Sequence, residues 1–148
     1  MATFRHVLVA TDLSESSQAA LKQAIELTRT PGTDLTVVHT CEIPVYSYTP
    51  EMAMAPVDLL TPVVDAARAR LEELMRQVRK ECPGAQSLLE IGVPADKILS
   101  AAASSGADLI VMGTHGRRGL AHAMLGSVAE KVVRRATVPV LTVRPPPA

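Results

Sequence analysis

Apolar residues in this 148-residue chain fall into two alternating patterns, short continuous runs and longer stretches spaced three or four apart. The runs are rich in β-branched residues and too short for core helices, so they read as buried strands. Five are expected: Arg5 to Thr11, Asp34 to Thr40, Gln86 to Ile91, Ala107 to Met112 and Val138 to Val143. Between them lie helical patterns. Ser14 is placed to cap the first, which carries Ala19, Ala20, Ala24 and Leu27 on its apolar side until Pro31-Gly32 stops it. Val57 to Glu81 is amphipathic, with Arg and Glu alternating on its outer face, and ends before Pro83-Gly84. Pro94 suits the first turn of a helix over Ala95 to Ser104, which Ser105-Gly106 closes. Val128 to Ala136 is the fourth helix, and the prolines at 145 to 147 prevent further pairing.

Five strands separated by four helices imply a doubly wound parallel sheet, α/β in class, because parallel neighbours need crossovers. No internal repeat or second domain is visible, so residues 1–148 read as one domain. In such sheets ligands bind beyond the carboxyl ends of the strands, where strand order reverses. Thr11-Asp12 and Gly113 are therefore candidates to face one crevice. Residues 41 to 57 interrupt the alternation with Pro44, Pro50 and Pro56, yet carry Tyr46, Tyr48, Met52 and Met54. They read as a long loop, either a cover over a ligand or a surface excursion.

Composition narrows the classes. Aromatics make up 2% of the chain and Trp is absent, so the core must be aliphatic, as in a sheet covered by Ala-rich helices. Fifteen basic residues balance fifteen acidic ones, which argues against a nucleic-acid or membrane surface. Cys41 and Cys82 match no metal or redox spacing and read as ordinary thiols, with a disulfide left open, and the four histidines are scattered. No targeting segment is evident, so a cytoplasmic protein is expected.

The candidate chemistry lies at 113 to 127: Gly113-Thr-His-Gly116, nine intervening residues, then Gly126-Ser127. Gly113 and Gly116 are free to take positive φ and present N–H groups without a Cβ in the way. Gly126-Ser127 precedes a helix, whose unpaired N–H groups and dipole favour an anion. Any strand–loop–helix connection also needs a turn glycine, and the spacing is neither G-x-G-x-x-G nor a P-loop. By phosphate chemistry alone the loop indicates a backbone-built nucleotide site.

The same residues, taken with others, resemble the universal stress protein family, and more closely its ATP-binding branch. Gly113, Gly116, Gly126 and Ser127 match that branch's G-x2-G-x9-G-S/T signature. Val9-Ala10-Thr11-Asp12 with Ser14-Glu15-Ser16 looks like the family's first strand and turn, and Gly92-Val93-Pro94 with Ile98-Leu99 like its G-x-P segment. Gly126 to Val132 and Val138 to Val143 look like its closing helix and strand, so the resemblance runs from about Phe4 to Arg144. It implies strand order 3-2-1-4-5, dimerisation through Val138 to Val143, and bound ATP, with or without magnesium. It also implies a regulatory, nucleotide-dependent role with a protein partner still to be identified.

Carried onto this chain, the resemblance makes Asp12 the ribose- and adenine-side acid and Thr40 the adenine contact, with Thr11 and Met112 also among the nucleotide-binding residues. Thr40 stands where valine is common in the family, and its contact is expected from backbone. Gly113, His115 and Gly116 line ribose and phosphates, and Gly126, Ser127 and Val128 hold the phosphates. Physical roles compete at each. Asp12 either accepts from ribose hydroxyls or caps the next helix; Ser127 either binds an anion or is a plain N-cap. Arg117 and Arg118 either pair with phosphate or are solvated, and His115 packs on ribose rather than acting as a catalyst. No catalytic lysine, metal-binding Asp pair or base is apparent, so binding is favoured over the alternative, a slow ATP hydrolase or nucleotide transferase.

Overall fold

Side-chain alternation along the strands divides the core into two halves. We obtained a computed structural model of the chain, which describes residues 3–42, 60–115 and 125–146. Strands β1 (His6–Ala10), β2 (Asp34–Cys41), β3 (Gln86–Ile91), β4 (Leu109–Gly113) and β5 (Val140–Val143) form one sheet in the order β3-β2-β1-β4-β5. Every neighbouring pair is parallel. The helices are α1 (Gln18–Leu27), α2 (Leu60–Glu81), α3 (Pro94–Ser105) and α4 (Ser127–Arg135).

Val7, Val9, Leu35, Val37, Leu109 and Val111 point to one face and pack with Leu21, Ile25, Leu71, Met75 and Val78 of α1 and α2. Leu8, Val38, Ile110 and Met112 point to the other, against Ala95, Ile98, Ala101, Ala129 and Val132 of α3 and α4. This is period-two geometry in a sheet covered on both sides. Small alanines on α3 let that helix lie close to the strands. Leu8 and Ile110 are fully buried, so truncating either to alanine removes packing worth about 2–5 kcal/mol.

Several boundaries differ from the sequence expectation for identifiable reasons. The first helix opens as a 3-10 turn, Glu15–Ser17, before α1 begins. Ser14 sits at the cap position, but its hydroxyl makes no capping bond, because it is engaged by Asp12 and Ser16. α1 ends at Leu27, well before Pro31-Gly32; Thr28 closes it by donating its hydroxyl to the Ile25 carbonyl, and Gly32 (φ 85°) makes the turn into β2. Pro94 opens α3, and Gly106 ends it in the left-handed conformation (φ 72°), as the sequence suggested. Much of the 41–57 loop, from 43 onward, and the start of the second helix expected at Val57 lie outside the described residues.

The amino-terminal end of the sheet is tied by one side chain. The Asp108 carboxylate accepts from the Arg5 amide (2.9 Å) and the His6 amide (3.0 Å), joining the start of β1 to that of β4. Partial desolvation pushes this carboxyl up, but the amide donors of Arg5, His6 and Asp108 itself, with the His6 ring, outweigh it and hold it below the ordinary value.

Candidate functional site

At the carboxyl end the chain behaves differently. β1 continues one residue past its last strand position, where the Thr11 amide donates to the Val38 carbonyl (2.9 Å). It then turns sharply at Leu13, the only described non-glycine residue with positive φ (66°). That conformation costs a leucine about 1–2 kcal/mol, so the neighbouring bonds must hold it.

Proton bookkeeping shows how they do so. The Ser17 hydroxyl donates to the Ser14 carbonyl (2.8 Å), so at the Thr11–Ser17 contact (2.9 Å) the Thr11 hydroxyl is the donor. The Thr11 hydroxyl oxygen in turn accepts from the Leu13 amide (3.0 Å). The Asp12 carboxylate accepts from the Ser14 amide (2.9 Å) and from the Ser14 hydroxyl, whose oxygen accepts from Ser16 (2.8 Å). Buried His39 donates from Nδ1 to the Thr11 carbonyl (2.9 Å), which sets its tautomer. Asp12 thus anchors the turn that follows it rather than capping α1.

β4 and α4 meet beside this turn. The Gly126 amide donates to the Thr114 carbonyl at 2.6 Å. A Cβ on Gly126 would lie 2.9 Å from that carbonyl and 3.4 Å from the His115 Cα, so only glycine fits. Gly126 is the N-cap of α4, and Ser127 is the first helical residue rather than the cap. The Glu130 amide bonds back to Gly126, leaving the amides of Ser127, Val128 and Ala129 ahead of the first intrahelical bond. Gly113 departs from expectation. It lies inside β4, in register with Val143 and without positive φ, and a Cβ there would meet backbone only at 3.5 Å or more. Its value is its place in the strand, not conformational freedom.

Among the described residues at this end, the Thr40 hydroxyl and His115 Nε2 are buried without a hydrogen-bond partner. The other ring nitrogen of His115 is 2.9 Å from the Thr114 hydroxyl. Beneath Thr40 the preceding side chains on the same face, Val38, Ala10 and Met112, form an apolar floor. Met112 is buried in that floor. Gly116, Arg117 and Arg118 lie outside the described residues.

Sequence reasoning missed three contributors: Thr114, whose carbonyl receives α4; Leu13, whose backbone shape carries no sequence signal; and His39. On the α1–α2 side of the Leu13 turn, a cleft of about 330 Å³ is lined by Ser14, Gln18, Arg70, Glu73 and Gln77. Arg70 Nη2 reaches the Leu13 carbonyl across it at 3.5 Å. Among the described residues, no three His, Cys, Asp or Glu side chains converge as a metal-binding group, and Cys41 and Cys82 are free thiols. No helix among them is long and apolar enough to cross a membrane.

Comparison with known proteins agrees with this architecture. The family model described as the universal stress protein family matches residues 3–144. A universal stress protein of Thermus aquaticus is 37% identical over 147 residues, covering 95% of this chain and 99% of that one. The solved universal stress protein UspA from Lactobacillus plantarum superposes with a TM-score of 0.83 at 26% identity, covering 97% of this chain and all of that one. A universal stress protein solved in complex with cAMP superposes at 0.70, with 24% identity and 97% and 98% of the two chains covered. The family match over nearly the full length, on a sheet of order β3-β2-β1-β4-β5, makes this chain a member of the universal stress protein family.

Proposed function

We propose that this protein binds an adenine nucleotide, ATP foremost, at the carboxyl end of the sheet, and that occupancy governs its pairing with a regulatory partner. One observation carries the reading. Polar atoms left without partners at the ends of β2 and β4, the Thr40 hydroxyl and His115 Nε2, flank the Asp12 turn at the point where strand order reverses. An unmet buried polar atom costs about 1–3 kcal/mol, and a bound polar ligand removes that cost. The apolar floor of Val38, Ala10 and Met112 suits a flat base. The leading amides of α4, with the helix dipole behind them, suit phosphate. The cAMP complex of a structurally similar family member supports the same ligand class.

On this reading Asp12 accepts from ribose hydroxyls, and Gly113, His115, Gly126, Ser127 and Val128 surround the phosphates, with Gly116 and Arg117 beside them. Magnesium, where present, is held by the phosphates themselves. The chain works as one cytoplasmic domain and dimerises through β5, whose outer edge has no strand partner within the sheet.

Thermal melting with and without ATP tests the proposal. Saturating ATP should raise Tm by several degrees, since ligand at a hundred times its Kd stabilises by about 2.7 kcal/mol. An unchanged Tm at millimolar ATP, with no heat in titration calorimetry, overturns it.

A further inference from the structure

Thr40 and Glu90 are register partners on β2 and β3, one pair before the strands end at Cys41 and Ile91. Parallel partners stand about 4.8 Å apart and project to the same face of the sheet. That face is the α3–α4 side, because the pair one step below, Val38 and Leu88, packs there. The Thr40 hydroxyl is buried and makes no hydrogen bond. Glu90 is half-buried, and among the described residues its carboxylate pairs with no cation. Two neighbouring polar groups thus stand above an apolar floor without using each other.

We propose that Thr40 and Glu90 form a base-reading pair, the carboxylate accepting from an exocyclic amine and the hydroxyl bonding the adjacent ring nitrogen. This assignment rests on the nucleotide reading above and deepens it by naming what selects the base. A carboxylate only accepts, so it favours an amine at that position and repels a carbonyl. A hydroxyl both donates and accepts, so it serves the neighbouring ring atom in either state. The strand order also separates charges sensibly. Glu90 is on the outer strand β3, three strand spacings (about 14 Å) from β4 and the start of α4. A nucleoside triphosphate laid across the strand ends therefore keeps its phosphates at α4 and its base at the carboxylate.

The test is calorimetric titration of the full chain with ATP and with inosine triphosphate, whose base carries a carbonyl in place of the amine. Wild type should prefer ATP by about tenfold or more, the worth of one good hydrogen bond and one avoided repulsion. Glu90→Gln should bring the ATP-to-inosine ratio toward one, because an amide can rotate to donate to the carbonyl. Thr40→Val should weaken ATP about five- to tenfold, and Thr40→Ser, which retains the hydroxyl, should restore most of it. Melting of the ligand-free variants separates folding from binding. Equal ratios in wild type and Glu90→Gln, with both binding ATP, overturn the pair while leaving the nucleotide reading intact. Failure of wild type to bind either nucleotide overturns both.

Discussion

The two ends of this sheet are built from the same strands yet handle polar groups in opposite ways. At the amino-terminal end, Asp108 collects the amides of Arg5 and His6, and the His6 ring reaches the Thr36 hydroxyl at 2.8 Å. The polar groups named there are consumed internally. At the carboxyl end a leucine is held in a left-handed turn, two buried polar atoms among the described residues lack partners, and the leading amides of a helix precede its first internal bond. The first arrangement stabilises the fold, while the second leaves bonding capacity unused among the described residues. Both ends contain hydrogen bonds and charged residues, so polarity alone does not mark a site; unmet polarity does.

The sharpest way to break this comparison is at Gly126. Gly126→Ala places a methyl 2.9 Å from the Thr114 carbonyl and forces β4 and α4 apart. We expect nucleotide affinity to fall more than tenfold in calorimetry, and stability to fall by about 1–3 kcal/mol in urea melts. Asp108→Ala should cost about 1–3 kcal/mol of stability, since charge-assisted bonds to two amides are lost, and should leave ATP affinity unchanged. A large loss of affinity in that variant would blur the division between the ends.

Acid titration sharpens the same contrast. The Asp108 carboxyl is lowered in the folded state, so its contribution is fully present above the unfolded carboxylate value, near pH 3.9. It disappears as pH falls through the lower folded value. In Asp108→Asn the acid side of the stability curve should therefore be shallower than in wild type, measured as the urea midpoint from about pH 5 to about pH 2. The smallest effect is expected at Gly113→Ala, where a Cβ meets nothing closer than 3.5 Å. Stability should move by less than about 1 kcal/mol, and affinity should fall less than in Gly126→Ala. If Gly113→Ala proves as damaging as Gly126→Ala, the two glycines share a role that their geometry separates.

Much of the architecture was legible because its signals are local. Proline and glycine punctuate β3 on both sides, at Pro83-Gly84 and Gly92, and its bounds match the expectation, Gln86 to Ile91. Gly106 closes α3 because only a left-handed residue fits there. The expectation that a ligand sits beyond the carboxyl ends of the strands rested on strand alternation and needed no side-chain detail. What escaped the sequence depends on distant partners. Nothing near Ser14 reveals that its hydroxyl would go to Asp12 instead of a helix amide, or that the helix would open as a 3-10 turn. Gly113 and Gly126 look equivalent in the motif; only the approach of the Thr114 carbonyl tells them apart. The unmet hydroxyl of Thr40 is likewise a product of burial, and the pairing of Thr40 with Glu90 depends on sheet register.

The central position of β1 has a kinetic consequence. Its partner β4 comes about a hundred residues later, and the contact of Arg5 with Asp108 spans 103 positions. Such distant pairings slow folding, because chain closure must precede any gain from contact. A ribosome making this chain therefore releases most of it before the last wall of the crevice exists. A chain halted before β4 therefore lacks both the central pairing of the sheet and the Thr114 carbonyl that receives α4.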